Sequence, residues 1–248
     1  MAVELFPYLG VVARAAGLLG SMPVLGGFYV PRLVRVALAL LVALALYPAV
    51  AVPYPEDLFT ASLWILSETL TGLAIGFLAQ ILFSAFQMAG SLLDLDLGLG
   101  VAGLLDPVGH QPVSILGNFF NLVASLLYFW TGAYAVPLMA LRYSFQGLPA
   151  GGFFAAAFFP DMERALSTAF LAAVQLALPV IAVSFVVTVA MAVFARAIPQ
   201  MNVFLLGLPL KIALGFLALG LLFPAYRGMM EVLFPGEAAL LLPGGMQP

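Results

Sequence analysis

Side chains that could perform acid–base or nucleophilic chemistry are few in this sequence. It has one histidine, His110, one lysine, Lys211, and no cysteine. A lone imidazole without co-ligands or a neighbouring nucleophile is more typical of a hydrogen-bonded loop histidine than of a metal or catalytic site. The chain cannot form a disulfide, a thiolate site or a multi-histidine metal centre by itself, and we expect no cofactor.

The carboxylates and hydroxyls do not form a catalytic set in sequence either. Asp94 and Asp96 are two residues apart, so on a continuous helix they project about 200° apart and cannot share one proton. Hydroxyls in the apolar segments have no basic neighbour in sequence to activate them; they include Ser84, Ser91, Ser184 and Thr188. We therefore expect no enzyme, while an intramembrane hydrolase assembled by folding stays open as an alternative.

Glu68 is an ionisable residue inside an apolar segment, as are Arg14 and Lys211. An unpaired charge in such a segment is costly, so these residues usually face protein or water. Glu68 could act in a proton relay or pair with an arginine, and we favour the pair.

The composition limits the class of protein. Hydrophobic residues make up 65% of the 248 residues and charged residues 8%, against about 45–50% and about 25% in soluble domains. A formal net charge of −3 provides no basic surface for nucleic acid. The chain is an integral membrane protein, a subunit surrounded by other apolar subunits, or both, and with Glu4 near its start we expect no cleavable signal.

Charge-free runs and prolines predict an all-α fold in one domain, because we find no internal repeat and no low-complexity linker. A Gly-rich stretch at 144–160 is expected to be a loop or a short amphipathic segment. Six apolar helical segments are predicted, followed by a tail at 235–248; they cover residues 3–22, 33–52, 59–93, 113–140, 165–195 and 203–226.

Two features fit poorly with six plain membrane spans. The charge-free run within 165–195 would be about 46 Å long, against about 30 Å for the hydrocarbon core of a bilayer. Flanking arginines are balanced three against three between the two sides, so they select no orientation. We expect these helices to pack against partner proteins more than against lipid.

A stripe of polar and small residues follows one face of the third segment, within an arc of about 80° and over about 27 Å. It could line a lumen or face another subunit, or it could be an ordinary interface between helices. The stripe consists of Gly76, Gln80, Ser84, Gln87, Ser91 and Asp94.

Glycines around this stripe predict two further features. The G-x-x-x-G at Gly72 and Gly76 predicts close approach of another helix. The G-x-G-x-x-G from Gly98 to Gly103 matches a dinucleotide fingerprint but lacks a preceding strand and a following acidic residue, so it instead indicates a segment that bends or unwinds. Residues 103–112 are therefore a candidate movable loop or constriction, with an ordinary turn outside the membrane as the alternative.

The most distinctive segment, at 196–211, reads RAIPQMNVFLLGLPLK. Its Pro-Gln-Met-Asn-Val-Phe core and following Gly-x-Pro-x-Lys closely resemble the signature of the flagellar biosynthetic protein FliR family and its injectisome relatives, despite Ile198 and Leu208 where relatives often carry Ala and Phe. The resemblance spans about residues 10–230, with agreement at Arg14, Pro23, Val30-Pro31-Arg32, Glu68, Gly72, Gly76, Gly90 and Asp106-Pro107. Within the signature we expect contacts between subunits at Arg196, Pro199, Gln200, Asn202, Phe204, Gly207, Pro209 and Lys211.

The resemblance implies a core subunit of the flagellar type III protein export gate, in the bacterial cytoplasmic (inner) membrane at the flagellar basal body. It implies assembly with FliP and FliQ into a hetero-oligomer joined by FlhB, and helical hairpins standing largely above the bilayer plane. Unfolded flagellar proteins would pass through this gate. The resemblance implies that the plug-like loop of the family falls on about residues 103–112, the candidate movable loop. Together with the glycine-rich stretch before it, this loop contains the candidate gating residues Gly98, Gly100, Gly103, Leu104, Leu105, Asp106, Pro107, His110 and Pro112.

Two alternatives to a flagellar gate remain. One is a virulence injectisome homologue of the same gate. The other is a secondary transporter or proton carrier that uses Glu68, Asp94 and Asp96 as a relay, although such carriers often have two related halves and this sequence has none.

Overall fold

The structure is a computed structural model that describes residues 2–27, 30–47, 58–99, 114–147, 155–198 and 203–234. Within these ranges the chain forms helices joined by turns, without a strand, so the predicted all-α fold is confirmed. The helices in chain order are α1 (Ala2–Ser21), α2 (Arg32–Leu46), α3 (Leu58–Leu97), α4 (Ile115–Trp130), α5 (Ala135–Gly147), α6 (Ala155–Ala197), α7 (Val203–Leu221) and α8 (Phe223–Leu233).

Two predicted segments are each divided into two helices. The segment 113–140 is interrupted at 131–134, where Gly132 adopts a φ of 75°, which glycine tolerates without strain. The segment 203–226 is interrupted at Leu222, where α7 and α8 meet at a bend of 58° and Pro224 occupies the first turn of α8.

Other boundaries also differ from the predicted ones. α6 begins ten residues before the predicted 165, because the charges at Asp161, Glu163 and Arg164 ended the apolar run without ending the helix. The expected loop or short amphipathic segment at 144–160 is helical at both ends, since α5 extends to Gly147 and α6 starts at Ala155, and residues 148–154 lie outside the described residues. The end of the segment 33–52 and the tail at 235–248 lie outside the described residues.

The chain divides into two compact units. Unit 1 contains residues 1–83, 128–168 and 234–248, and unit 2 contains residues 84–127 and 169–233. The single domain inferred from the sequence stays a prediction.

In unit 1, α1 packs against α2 and α3. Arg35 of α2 donates hydrogen bonds to the carbonyl oxygens of Gly26 at 3.1 Å and Val30 at 3.1 Å, which holds the connection between the first two helices. The predicted close approach at the G-x-x-x-G is confirmed, because a Cβ at Gly72 would overlap the carbonyl oxygen of Arg14. A Cβ at Gly76 would lie 2.7 Å from the carbonyl oxygen of Leu18.

Candidate functional site

The end of α3 and the start of α4 are joined through the carboxylate of Asp94, a residue 3% exposed. The Leu116 N–H lies 3.0 and 3.2 Å from its two oxygens, and the Ser114 hydroxyl donates to Oδ2. Ser114 Oγ accepts the N–H of Gly117 at 2.9 Å, as a helix N-cap does. A negative charge at a helix N-terminus is also favoured by the helix dipole. Asp94 therefore stabilises the first turn of α4 from a neighbouring helix.

The two helices touch backbone to backbone at this junction. A Cβ at Gly90 would overlap the Leu116 carbonyl oxygen and lie 2.7 Å from the Gly117 Cα. Ser91 Oγ donates to Ser114 Oγ at 3.2 Å. Only glycine at position 90 permits this approach, because any side chain there would push the helices apart.

Two residues beyond Asp94, the last turn of α3 is held by a lysine of α7. Lys211 Nζ donates to the Asp96 carbonyl oxygen at 3.0 Å and lies 3.8 Å from Oδ1 of its carboxylate. A cation at a helix C-terminus is favoured by the free carbonyls and the dipole there. Gly98 then ends the helix with a φ of 78°.

A cavity of about 500 Å³ lies beside this contact, within unit 2. Its walls are mainly apolar side chains and glycines from α3, α6 and α7, and its polar groups come from Asp96, Thr188 and Lys211.

Unit 1 contains a separate buried charge pair. Arg14 Nε lies 2.6 Å from Glu68 Oε2, and each side chain is 1% exposed. Arg14 also donates to Ser144 Oγ at 3.0 Å, and its guanidinium lies 4.0 Å from the ring centroid of Phe145. The expected pairing of Glu68 with an arginine is therefore confirmed, and the pair connects α1 with α3 and α5.

The predicted polar stripe is divided between several environments. Gly76 is buried against α1, and Asp94 is buried at the α3–α4 junction. Gln80 and Gln87 are exposed, while Ser84 and Ser91 are half-buried. The two buried ends contact this chain's own helices, and a lumen or another subunit beside the exposed glutamines stays a prediction.

The predicted gating residues lie outside the described residues except for Gly98. Of the signature residues, Pro199, Gln200 and Asn202 also lie outside, as does the side chain of Phe204. Arg196 and Pro209 are exposed, and Gly207 and Lys211 are half-buried. The gating role and the contacts between subunits therefore stay predictions.

Sequence reasoning missed several residues that complete these contacts. Ser114 could have been found, because a serine immediately before an apolar periodic run is an N-cap signal. Ser144 and Phe145 lie 130 and 131 residues after Arg14, and no local pattern connects them. Within the described ranges, no three histidine, aspartate or glutamate side chains come together as a metal site would require.

Comparison with known proteins gives a matching family and several relatives that align with most of this chain. The model of "Bacterial export proteins, family 1" matches residues 5–236. The flagellar biosynthetic protein FliR of Bacillus subtilis (strain 168) is 31% identical over 225 residues, covering 88% of this chain and 86% of the relative. FliR of Aquifex aeolicus (strain VF5) is 32% identical over 216 residues, covering 85% and 83%.

A relative from another secretion system is similar over the same length. The Yop proteins translocation protein T of Yersinia pestis is 34% identical over 233 residues, which cover 90% of this chain and 87% of that protein.

Proposed function

Because the chain belongs to the bacterial export proteins, family 1, we propose that it is a core subunit of the flagellar type III protein export gate. The observation that supports this most strongly is similarity over nearly the whole chain to proteins named flagellar biosynthetic protein FliR. In this proposal the subunit catalyses no reaction. It sits in the cytoplasmic membrane at the flagellar basal body and contributes to the channel that unfolded flagellar proteins cross.

A second system is supported by a specific observation, the 34% identity to a Yersinia translocation protein. The same gate could then serve an injectisome. Expression in a flagellated strain that lacks its own FliR separates the two: restored motility supports the flagellar assignment, and stable expression without motility contradicts it.

We propose that the segment from Gly98 to Pro112 closes the channel and yields to substrate. The residues on either side of this segment support the role. Gly98 ends α3 in a conformation that favours glycine, and Ser114 caps the start of α4 by accepting the Gly117 N–H. Sealing is required, since an open pore wide enough for polypeptide would pass protons and ions.

Shortening residues 104–112 in cells tests the closure. We expect increased ion leak, measured as loss of membrane potential, together with altered export. Unchanged leak and unchanged export would contradict the closure role. Loss of export with an intact membrane potential would indicate a defect in assembly, because a defect in sealing lowers the potential.

The proposed assembly partners are FliP, FliQ and FlhB. Large exposed apolar side chains on α6 support an assembled state, with Phe170, Phe185 and Val186 each more than half exposed. Copurification followed by mass measurement of the intact complex tests this assembly and gives its stoichiometry. A monodisperse single chain that moves a small solute by itself would instead favour a carrier.

The three carboxylates that a proton carrier would use as a relay instead make contacts with neighbouring helices. Glu68 pairs with Arg14, Asp94 accepts from Leu116 and Ser114, and Asp96 lies beside Lys211. These contacts favour structural roles for all three carboxylates, which supports the gate over the relay.

A further inference from the structure

We infer that Asp94 is a positioning residue that fastens the first turn of α4 to the last turns of α3, so that these two helix ends move as one body during export. The inference rests on the proposed gate function and adds to it which part of the subunit stays fixed.

The carboxylate is suited to this role because it replaces backbone partners that α4 lacks. The first N–H groups of a helix have no acceptor within the helix. Asp94 accepts hydrogen bonds from the Leu116 N–H and the Ser114 hydroxyl, and the Ser114 oxygen in turn accepts a hydrogen bond from the Gly117 N–H. With Asp94 only 3% exposed, water cannot easily replace these bonds.

The backbone contact next to the carboxylate makes sliding of the two helices difficult. Gly90 leaves no space between α3 and the carbonyl of Leu116, and Ser91 meets Ser114 one residue further along α3. Separation of the helix ends would break these contacts together with the carboxylate bonds. The junction is therefore expected to stay closed in both the resting and the conducting gate.

Lys211 holds the same end of α3 from a second side. Its ammonium bonds the carbonyl of Asp96, two residues after Asp94. The last turn of α3 is thus attached to both α4 and α7, and all of these residues belong to unit 2.

The absence of cysteine from the whole sequence provides a direct test. The double variant Ser91→Cys with Ser114→Cys places two thiols where the hydroxyl oxygens are 3.2 Å apart, and a disulfide needs Cβ atoms about 3.5–4.5 Å apart. We expect the disulfide to form in the complete gate under mild oxidation. Export by the oxidised variant should equal export by the same variant after reduction, so any effect of the substitutions themselves cancels.

Two results would overturn the inference. One is a disulfide that never forms, since the helix ends would then not be adjacent. The other is export that stops on oxidation and returns on reduction, since the junction would then have to open. Single-cysteine variants control for effects of oxidation elsewhere.

A measurement that does not depend on export examines the carboxylate itself. In the purified complex, Asp94→Ala should accelerate amide hydrogen exchange at Leu116 and Gly117 by at least about tenfold, with Asp94→Asn intermediate and with unchanged exchange in α1. Unchanged exchange in Asp94→Ala would contradict the role of Asp94. Failure of the proposed gate function is distinguishable from failure of this inference. If the chain were not part of the gate, export would persist when the whole chain is deleted.

Discussion

At the scale of single residues, two buried carboxylates are accommodated in different ways. Glu68 is neutralised by the guanidinium of Arg14, while Asp94 is surrounded by N–H and O–H donors at the start of α4. Burying either charge without such partners would be strongly unfavourable. Each carboxylate therefore fixes one helix against another.

Glu68→Ala should destabilise the protein by about 3–5 kcal/mol, because it leaves the Arg14 charge buried without its carboxylate. Glu231→Ala is the matched control, since Glu231 also pairs with an arginine, Arg227, at 3.0 Å, but both side chains are more than half exposed. The control should cost at most about 1 kcal/mol. Denaturant titration of the purified complex measures both values, and equal losses would contradict the assigned role of the buried pair.

The double substitution Arg14→Met with Glu68→Leu separates charge burial from packing. It removes both charges together and should be less destabilising than Glu68→Ala, because apolar replacements of a buried pair leave no unpaired ion. A double variant at least as unstable as Glu68→Ala would contradict this expectation. It would show that the contacts of the guanidinium with Ser144 and Phe145 stabilise the protein more than its pairing with Glu68 does.

At the scale of helices, apolar runs in the sequence predict where helices exist better than where they end. Hydropathy continues across Gly132 and across Leu222 and Phe223, so both interruptions are invisible to it. Conversely, Asp161, Glu163 and Arg164 ended the apolar run but not the helix, because a charged side chain leaves the backbone hydrogen bonds of a helix intact, whether it is buried as Asp161 is or exposed as Glu163 and Arg164 are. The contact at Gly72 was predicted because the G-x-x-x-G is a local pattern within one helix. The partners of Arg14 and Asp94 are distant in sequence and are brought close only by tertiary packing.

Gly72→Ala should destabilise unit 1 by about 1–3 kcal/mol, because the new methyl group would force α1 and α3 apart. Gly220→Ala in α7 is the control, since a Cβ there meets nothing within 4 Å. Within a helix this control should be neutral or stabilising by up to about 1 kcal/mol. Thermal unfolding of the two variants side by side tests the contact, and a stable Gly72→Ala protein would show that the helices separate without loss.

Lys211→Met should loosen the end of α3, because the Asp96 carbonyl loses a charged donor in a partly buried position. Hydrogen bonds to charged groups contribute about 1.5–3 kcal/mol. Because the side chains of Lys211 and Asp96 are both partly exposed, we expect the stability of the protein to fall by an amount near the lower limit. Lys211→Arg keeps the charge and should recover part of it. Hydrogen exchange at Asp96 and Leu97 is the measurement, and unchanged exchange in Lys211→Met would contradict the contact.

At the scale of the whole molecule, the longest helices exceed what a bilayer can cover. In the part of the chain that the structure describes, two helices, Phe59–Leu97 and Phe158–Ala197, are each long and apolar enough to cross a membrane, and two bent pairs could add further spans. Forty residues extend along the helix for about 60 Å, twice the hydrocarbon thickness. A bilayer cannot cover a helix of this length from end to end, so the exposed apolar side chains near both ends of Phe158–Ala197, such as Phe159 and Phe194, need cover that lipid alone cannot provide.

Cysteine labelling along this helix tests whether protein supplies that cover. Phe159→Cys and Phe194→Cys, made singly in the cysteine-free chain, replace side chains that are 62% and 54% exposed. The two positions are about 52 Å apart along the helix, or about 40 Å along the membrane normal at a 40° tilt, so a hydrocarbon core of about 30 Å cannot shield both. In permeabilised cells that make this chain alone, a polar maleimide should label at least one position, whereas in the complete gate both should be protected by neighbouring subunits. Protection of both positions in the lone chain would mean that lipid or the chain itself covers α6, and the case for a subunit enclosed mainly by other proteins would then fail.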